Sequence, residues 1–388
     1  MNPLHLFQAY GVELEYMIVD KDTLQVRPIA HLLLQKDGKV TTEIEQGKIA
    51  WSNELVQHLI ELKTNGPVKM LDGVDNRFQQ NIKKINMMLS KENATLMPTA
   101  MHPFMDPDKE TKIWKHEYTK IYKTYDRIFS CKGHGWSNLQ STHINLPFGN
   151  NEEFVKLHDA IRLILPILPA IAASSPIVEG LHTGLHDNRM RYYRDNSKMI
   201  PSITGGVIPE QVRSVDEYHK NILQKMYRDI APHDPKKVLQ YEWLNARGAI
   251  ARFDRGAIEI RVLDVQECPK ADLAIVWAVT ETLKQIIDSK IDIRTPRLRK
   301  VFLDCIRKGE TAPVSKEYAN ALGKKADTAG ELWSEIARSL PASKHRDTLR
   351  QIIKKGTLST RIIHSVKKSG IDKTYRRLTG CLAEGNIF

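Results

Sequence analysis

The feature that most constrains this chain is acid placed inside apolar, strand-like segments. In Gly11-Val12-Glu13-Leu14-Glu15-Tyr16, a period of two puts Glu13 and Glu15 on one face and Val12, Leu14 and Tyr16 on the other. Ala257 to Asp264 repeats the arrangement, with Glu259 and Arg261 opposite Ile258, Ile260 and Val262. Glu61 sits between Ile60 and Leu62, and His143 and Asn145 alternate with Thr142, Ile144 and Leu146. One reading is ordinary antiparallel strands, apolar side in and polar side out. The other is a shared acidic concavity. Glu is depleted in strands, and two Glu at i and i+2 repel unless a cation lies between them. Hard divalent ions take such oxygens, and Mg²⁺ completes its octahedron with substrate phosphates. An Arg two residues from a Glu on the same face, as Arg261 is from Glu259, then meets phosphate. Spacing alone leaves both readings open.

The rest of the chain sets the frame. At 41% hydrophobic and 27% charged residues, it carries enough apolar material for a core and too much for disorder. Strands are expected over 10–19, 55–62 and 140–146, and a hairpin over 250–265 turning at Asp254-Arg255-Gly256. Helices are expected over 75–93, 154–173 with a break near Pro166 and Pro169, 212–230 and 271–287. Residues 174–206 read as a long polar loop, of the kind that carries function. Strands and helices mix without βαβ alternation. The expected class is therefore α+β: a mainly antiparallel sheet flanked by helices, in a catalytic part over 1–295, followed by a helical basic part over 296–388. No GxGxxG follows a strand and no GxxxxGK[ST] is present, so neither a dinucleotide fold nor a P-loop is supported.

Between Ser343 and Gly380 stand eleven Lys or Arg against two Asp, so +9 of the net +12 belongs to the tail. Beyond Tyr375 it lacks interleaved aromatics, and it shows no finger or helix–turn–helix spacing, so a solvated helical surface, one that could line a contact in a homo-oligomer, is preferred to nucleic-acid binding. The longest apolar stretch, Leu163 to Ala173, is too short to span a bilayer, and no secretory signal is readable. Cys131, Cys268, Cys305 and Cys381 show no paired spacing, so a reducing cytoplasm is the expected setting, with no membrane partner.

Taken together, these segments resemble the glutamate–cysteine ligase/carboxylate–amine ligase family, which is related in fold to glutamine synthetase. GVELE is similar to its Gly-x-Glu-x-Glu strand, and Glu54-x6-Glu61 to its acidic pair. Thr99-Ala-Met-His102-Pro103-Phe104 looks like its Thr-His-Pro-Phe. Thr142-His143-Ile144-Asn145 matches the strand with a His ligand, with Asn145 where a second His often stands. Ala172 to Arg189, through Thr183, resembles a Ser-x-x-Ser-Pro…Thr…Arg segment, and Glu259-x-Arg261-x-x-Asp264 is the most specific match. The elements follow family order from residue 10 to about 290, and beyond Pro296 no motif of the family is readable.

That resemblance implies ATP-dependent amide formation: a carboxylate, typically of glutamate, takes the γ-phosphoryl group, and an amine, typically of cysteine, displaces phosphate. It implies ATP and Mg²⁺, with Mn²⁺ possible because of the imidazole. Glu13, Glu54 and Glu61 would hold one metal region, and Glu15, His143 and Glu259 another. Arg261 would contact the transferred phosphoryl group. Arg189 would fork onto a substrate carboxylate or phosphate, near Thr183 and Asn145, and Arg255 and Arg247 would guide triphosphate. Plainer alternatives stand beside these roles: Glu54 as a turn residue, Arg261 merely paired with Glu259, and Arg247, Arg252 and Arg255 as surface charges of a hairpin.

Overall fold

The computed structural model describes residues 3–289 and 293–388. Eight strands form one sheet: β1 (Gly11–Asp20), β2 (Glu43–Gln46), β3 (Ile49–Asn53), β4 (Leu59–Thr64), β5 (Ala94–Met97), β6 (Ser141–Pro147), β7 (Ala249–Arg252) and β8 (Ala257–Asp264). Their order is β7-β8-β6-β1-β4-β3-β2, and every pairing is antiparallel. β5 pairs with the far half of β1, from Met17 to Asp20, beyond the half that β6 covers. The architecture is the expected α+β one.

The alternation in the sequence is what orients the sheet. Val12, Leu14, Tyr16 and Ile18 are all fully buried on one face. Behind that face pack α1 (Val74–Leu89), α3 (Asn151–Ile164) and α5 (Pro269–Ile286). Each buried Leu, Ile or Phe there is worth about 1.5–3 kcal/mol of transfer free energy. The turn of the β7–β8 hairpin holds Gly256 at φ 60°, and the β2–β3 turn holds Gly47 at φ 70°, a conformation that suits glycine in short hairpin loops. α3 starts at Asn150, whose side chain caps Glu153, and gives way to a 3₁₀ turn at Leu165–Ile167 where Pro166 enters.

Several expectations shift. The strand expected over 55–62 pairs only from Leu59, because Val56 is drawn to Ile113 in an isolated bridge. The polar stretch 174–206 is no simple loop: it contains α4 (Asn188–Asp195), capped by the Asp187 side chain on the Met190 N–H. β2, β3 and α2 (Thr119–Phe129) add to what the sequence reading contained.

After residue 293 come α6 (Thr295–Lys308), α7 (Ala329–Ser339), α8 (Lys344–Lys355), α9 (Leu358–Ser369) and α10 (Ile371–Glu384). Contacts span the expected 295/296 boundary throughout. Leu358, Ile362, Tyr375 and Leu378 build a second apolar cluster with Met17, Val19, Val56, Leu59 and Met97. Trp333 Nε1 donates to the Ile167 carbonyl (2.9 Å), Tyr318 Oη donates to that of Leu163 (2.7 Å), and Arg361 pairs with fully buried Glu267 (2.5 Å). Among the described residues, no helix is long and apolar enough to cross a membrane.

Beneath the sheet, Asp272 in the first turn of α5 is 1% exposed. Its Oδ1 accepts from Thr142 Oγ1 (2.7 Å) and the Gln266 N–H (2.9 Å). Burial outweighs those bonds and pushes the carboxyl up to about 8. The unfolded chain gives up this proton near pH ~4, so between there and pH ~8 the folded chain binds more protons and loses stability as pH rises. Asp272→Asn is expected to flatten that loss. Urea denaturation at pH ~5 and ~8 reads it as a fall of a few kcal/mol at most in the wild type, largely gone in the variant.

Candidate active site

The polar face of the sheet gathers the acids. In register, Glu13 stands opposite His143 on β6 and Lys63 on β4, Glu15 opposite Glu61, and Glu61 opposite Ser52 on β3. Glu259 on β8 stands opposite Asn145 on β6. Glu15, Glu61, His143 and Glu259 are all buried, and Glu13 is half-buried.

His143 sits at the centre. Its Nδ1 lies 3.0 Å from Glu13 Oε2 and 3.7 Å from Glu259 Oε1, and its Nε2 lies 2.9 Å from Ser141 Oγ and 3.9 Å from Glu15 Oε1. Ser141 donates its N–H (2.7 Å) and its hydroxyl (2.8 Å) to Glu15 Oε2, and Asn145 Nδ2 donates to Glu13 Oε1 (3.0 Å). Glu61 accepts from Ser52 Oγ (2.6 Å) and lies 3.3 Å from Lys63 Nζ, which also meets Glu43 at 2.7 Å. Arg261 Nε and Arg252 Nη1 flank Glu259 at 3.0 and 3.3 Å.

The titration behaviour follows from this crowding. Burial works against ionisation of Glu13, but the hydrogen bond and charge of His143, with Lys63 and Arg255, hold it below the usual carboxylate range. Burial lowers and Glu13 and Glu15 raise His143, and the acids prevail. Glu54, half-buried just past β3, is pushed well up by burial and by the charges of Glu15, Glu61 and Glu13. Burial, then the Glu13 charge, raises Glu61 to about 7. Such a group of carboxylates around one imidazole is what a divalent cation relieves.

Two sets of ligand atoms lie within 4.8 Å of one another: Glu13, His143 and Glu259, and Glu15, Glu61 and His143. Five of the six expected ligands therefore fall in these sets, but Glu13 and Glu15 exchange the groups expected for them, because β6 and β8 reach Glu13 while β4 faces Glu15. Glu54 lies within electrostatic reach and outside both sets.

Two arginines are placed otherwise than expected. Arg189 is 2% exposed: its Nε donates to Asp264 Oδ1 at 2.6 Å, and its terminal nitrogens donate to the Arg261 carbonyl at 3.2 and 3.3 Å. Its fork is committed to the strand that carries Arg261, so it positions that residue and has no reach to a ligand. Arg247, also 2% exposed, is tied to Glu210 (2.6 and 2.9 Å) and the Ser202 carbonyl (3.0 Å), behind the sheet edge. Both corrections have one cause: the sequence showed cations near the site but not the buried acceptors that consume them. Arg255 remains exposed at the mouth of a cavity, Asn145 binds Glu13, and Thr183 is exposed with its hydroxyl bonded to Asn188. Because breaking a buried ion pair leaves an uncompensated charge, Arg189→Met is expected to cost about 3–5 kcal/mol. A double-mutant cycle with Asp264→Asn, read by urea denaturation, should show strong coupling, and additive losses would contradict the pairing.

Lys63 joins the site unforeseen, although it lies two residues from Glu61 on the same face, and Arg252, which the sequence left between a guide for triphosphate and a surface charge, meets Glu259. At the other end of the row, Tyr122 on α2 accepts a hydrogen bond from Asn53 Nδ2 (2.9 Å) beside Glu54. Next to Glu13 opens a cavity of about 310 Å³ with Tyr10, Pro67, Pro147 and Ala257 in its wall and with Glu13, Glu43, Lys63, Thr64, Asn145 and Arg255 as polar groups.

A sequence model of glutamate–cysteine ligase family 2 matches residues 9–372. An uncharacterised protein of Archaeoglobus fulgidus is 32% identical over 97% of this chain and 99% of its own length. A Corynebacterium glutamicum protein, named provisionally as glutamate–cysteine ligase 2, is 24% identical over 73% of this chain and 68% of its own. A solved structure of glutamate–cysteine ligase from Francisella tularensis in complex with AMP shares the fold: TM-score 0.63, 15% identity, 99% of this chain and 90% of that one. The chain belongs to glutamate–cysteine ligase family 2, a family of ATP-dependent ligases that form C–N bonds.

Proposed function

We propose that this chain joins the γ-carboxylate of glutamate to the amine of cysteine, using ATP and Mg²⁺, by way of an acyl phosphate. The observation that carries the reading is the convergence of Glu13, Glu15, Glu61, His143 and Glu259 from four strands onto one face, with Arg261 against Glu259. The carboxylates fit Mg²⁺ by charge and donor type, and the imidazole also admits Mn²⁺. Glu13, His143 and Glu259 would hold one ion, and Glu15 and Glu61, with Glu54 close by, another. When bound, the ions supply charge neutralisation for phosphoryl transfer.

The chain's own residues do the rest. The cavity beside Glu13 offers an apolar slot for a purine, with Asn145, Lys63 and Arg255 toward the polyphosphate. Arg261, held by Glu259 and by the backbone grip of Arg189, presents its guanidinium where charge spreads in transfer, an interaction of a kind worth ~10³-fold or more in rate. Phosphorylation gives the glutamate carboxylate a leaving group, which the amine displaces. The four cysteines are all free thiols, in keeping with a cytoplasmic setting.

Incubation with ATP, MgCl₂, glutamate and cysteine should release ADP and give a product with the mass of γ-glutamylcysteine. ADP release that requires a different acid or amine, found with a panel of amino acids, would reassign the pair and keep the chemistry. ADP release independent of every amine would reject ligation.

A further inference from the structure

Helix α2 has two faces, and the site uses only one. Tyr122 reaches Asn53, and Tyr125 packs on Trp136 and Trp243 with ring centroids 5.3 and 6.1 Å apart. The opposite face carries Lys120, Lys123 and Arg127, spaced three and four residues apart and all exposed. With Lys236, Pro235 and Val238 they line an open groove of about 570 Å³.

Among the described residues, one carboxylate, Asp234, shares the groove with these four cations and forms no ion pair with them. Asp234, in the groove wall, accepts from the N–H groups of Val238 (2.9 Å) and Leu239 (2.7 Å), and Asp126 accepts from that of Cys131 (3.0 Å). Among the described residues, Lys120, Lys123 and Lys236 have no ion-pair partner, while Arg127 donates one N–H to the His233 carbonyl (2.8 Å). Like charges crowded about a concave wall repel one another and focus a field that draws anions.

The cavity assigned to ATP lies at the Gly11 end of β1, and Tyr122 turns toward Asn53 at the other end of the acidic row, so the groove lies on the far side of α2 from that row. The shape of the cation row says which anion. From Lys120 to Arg127 is roughly 10 Å along the helix, and α2 itself is roughly 10 Å across. An extended tetrapeptide spans roughly 13 Å, with alternate side chains on one side. A string of carboxylates matches such a row, whereas a single phosphate meets one part of it.

We infer that the groove between α2 and residues 234–238 binds a short acidic peptide. The inference goes beyond the ligase reading and rests on the groove alone.

The test uses tetraglutamate and tripolyphosphate as probes, titrated calorimetrically into the full chain at low salt. The comparison is a variant with Lys120→Gln, Lys123→Gln, Arg127→Gln and Lys236→Gln, whose exposed positions should leave the melting temperature unchanged. Tetraglutamate should bind the wild type at least ten-fold tighter than the variant, and added salt should erase the difference. Equal tetraglutamate affinity in the two proteins, or tripolyphosphate binding the wild-type groove more tightly than tetraglutamate, would overturn the proposal. Groove-dependent binding with no ATP turnover on any acid would uphold the groove as an acidic-peptide site and sink the ligase reading alone.

Discussion

Replacing Glu61 by Gln is expected to raise the melting temperature of the EDTA-treated protein while cutting Mg²⁺-dependent ATP turnover at least ~100-fold. The two effects have one origin. Burial and the neighbouring Glu13 push the Glu61 carboxyl up to about 7, so above that pH its ionised form costs stability that the unfolded chain does not lose. Gln removes the charge and keeps the shape. It also removes a carboxylate from one of the two ligand sets. Stabilisation by added Mg²⁺, which measures preferential binding to the folded state, should shrink in parallel. A purely structural Glu61 predicts the reverse. Loss of the Ser52 and Lys63 contacts would then lower the metal-free melting temperature, and turnover would track only the folded fraction. Differential scanning calorimetry with and without Mg²⁺, alongside an ADP assay, separates the two.

Deleting residues 340–388 is expected to abolish folding, not merely to shed a basic appendage. The deletion strips Leu358, Ile362, Tyr375 and Leu378 from the second apolar cluster and leaves buried Glu267 without Arg361. Single changes scale the claim. Tyr375→Ala should cost about 3–5 kcal/mol and Leu378→Ala about 2–5 kcal/mol, as large-to-small substitutions at fully buried sites do. Chemical denaturation of the point variants and solubility of the truncated chain give the readouts. A truncated protein that stays monomeric, cooperative in unfolding and active would contradict the packing described.

Much of the site was legible because a strand's period of two is unforgiving. Glu13 with Glu15, His143 with Asn145, and Glu259 with Arg261 each had to share a face, and register alone brought those faces together. What the sequence withheld was tertiary. Arg189 and Arg247 have the same chemistry as Arg261, and only the fold reveals that Asp264 and Glu210 had already claimed them. The exchange of Glu13 and Glu15 between ligand groups depends on which strand lies on which side of β1, a matter of sheet order that local pattern cannot encode. Helix α2 has an amphipathic sequence, but nothing local says that its tyrosines meet Asn53, Trp136 and Trp243. The basic tail misled by its charge. The apolar residues between the cations, such as Leu358, Ile362, Tyr375 and Leu378, were the informative ones.

β1 is gripped at both ends by different masses of protein. Its first half is clamped between β4 and β6, while Met17 and Val19 in its second half are sealed by the closing helices. A relative that dispenses with those helices therefore inherits a bare oily surface on the acid-bearing face of β1, beyond Glu13 and Glu15. It must cover that surface with an inserted segment or a neighbouring subunit, or replace Met17, Val19 and Met97 with polar residues. The length of the C-terminal region and the polarity of those three positions should consequently change together across the family.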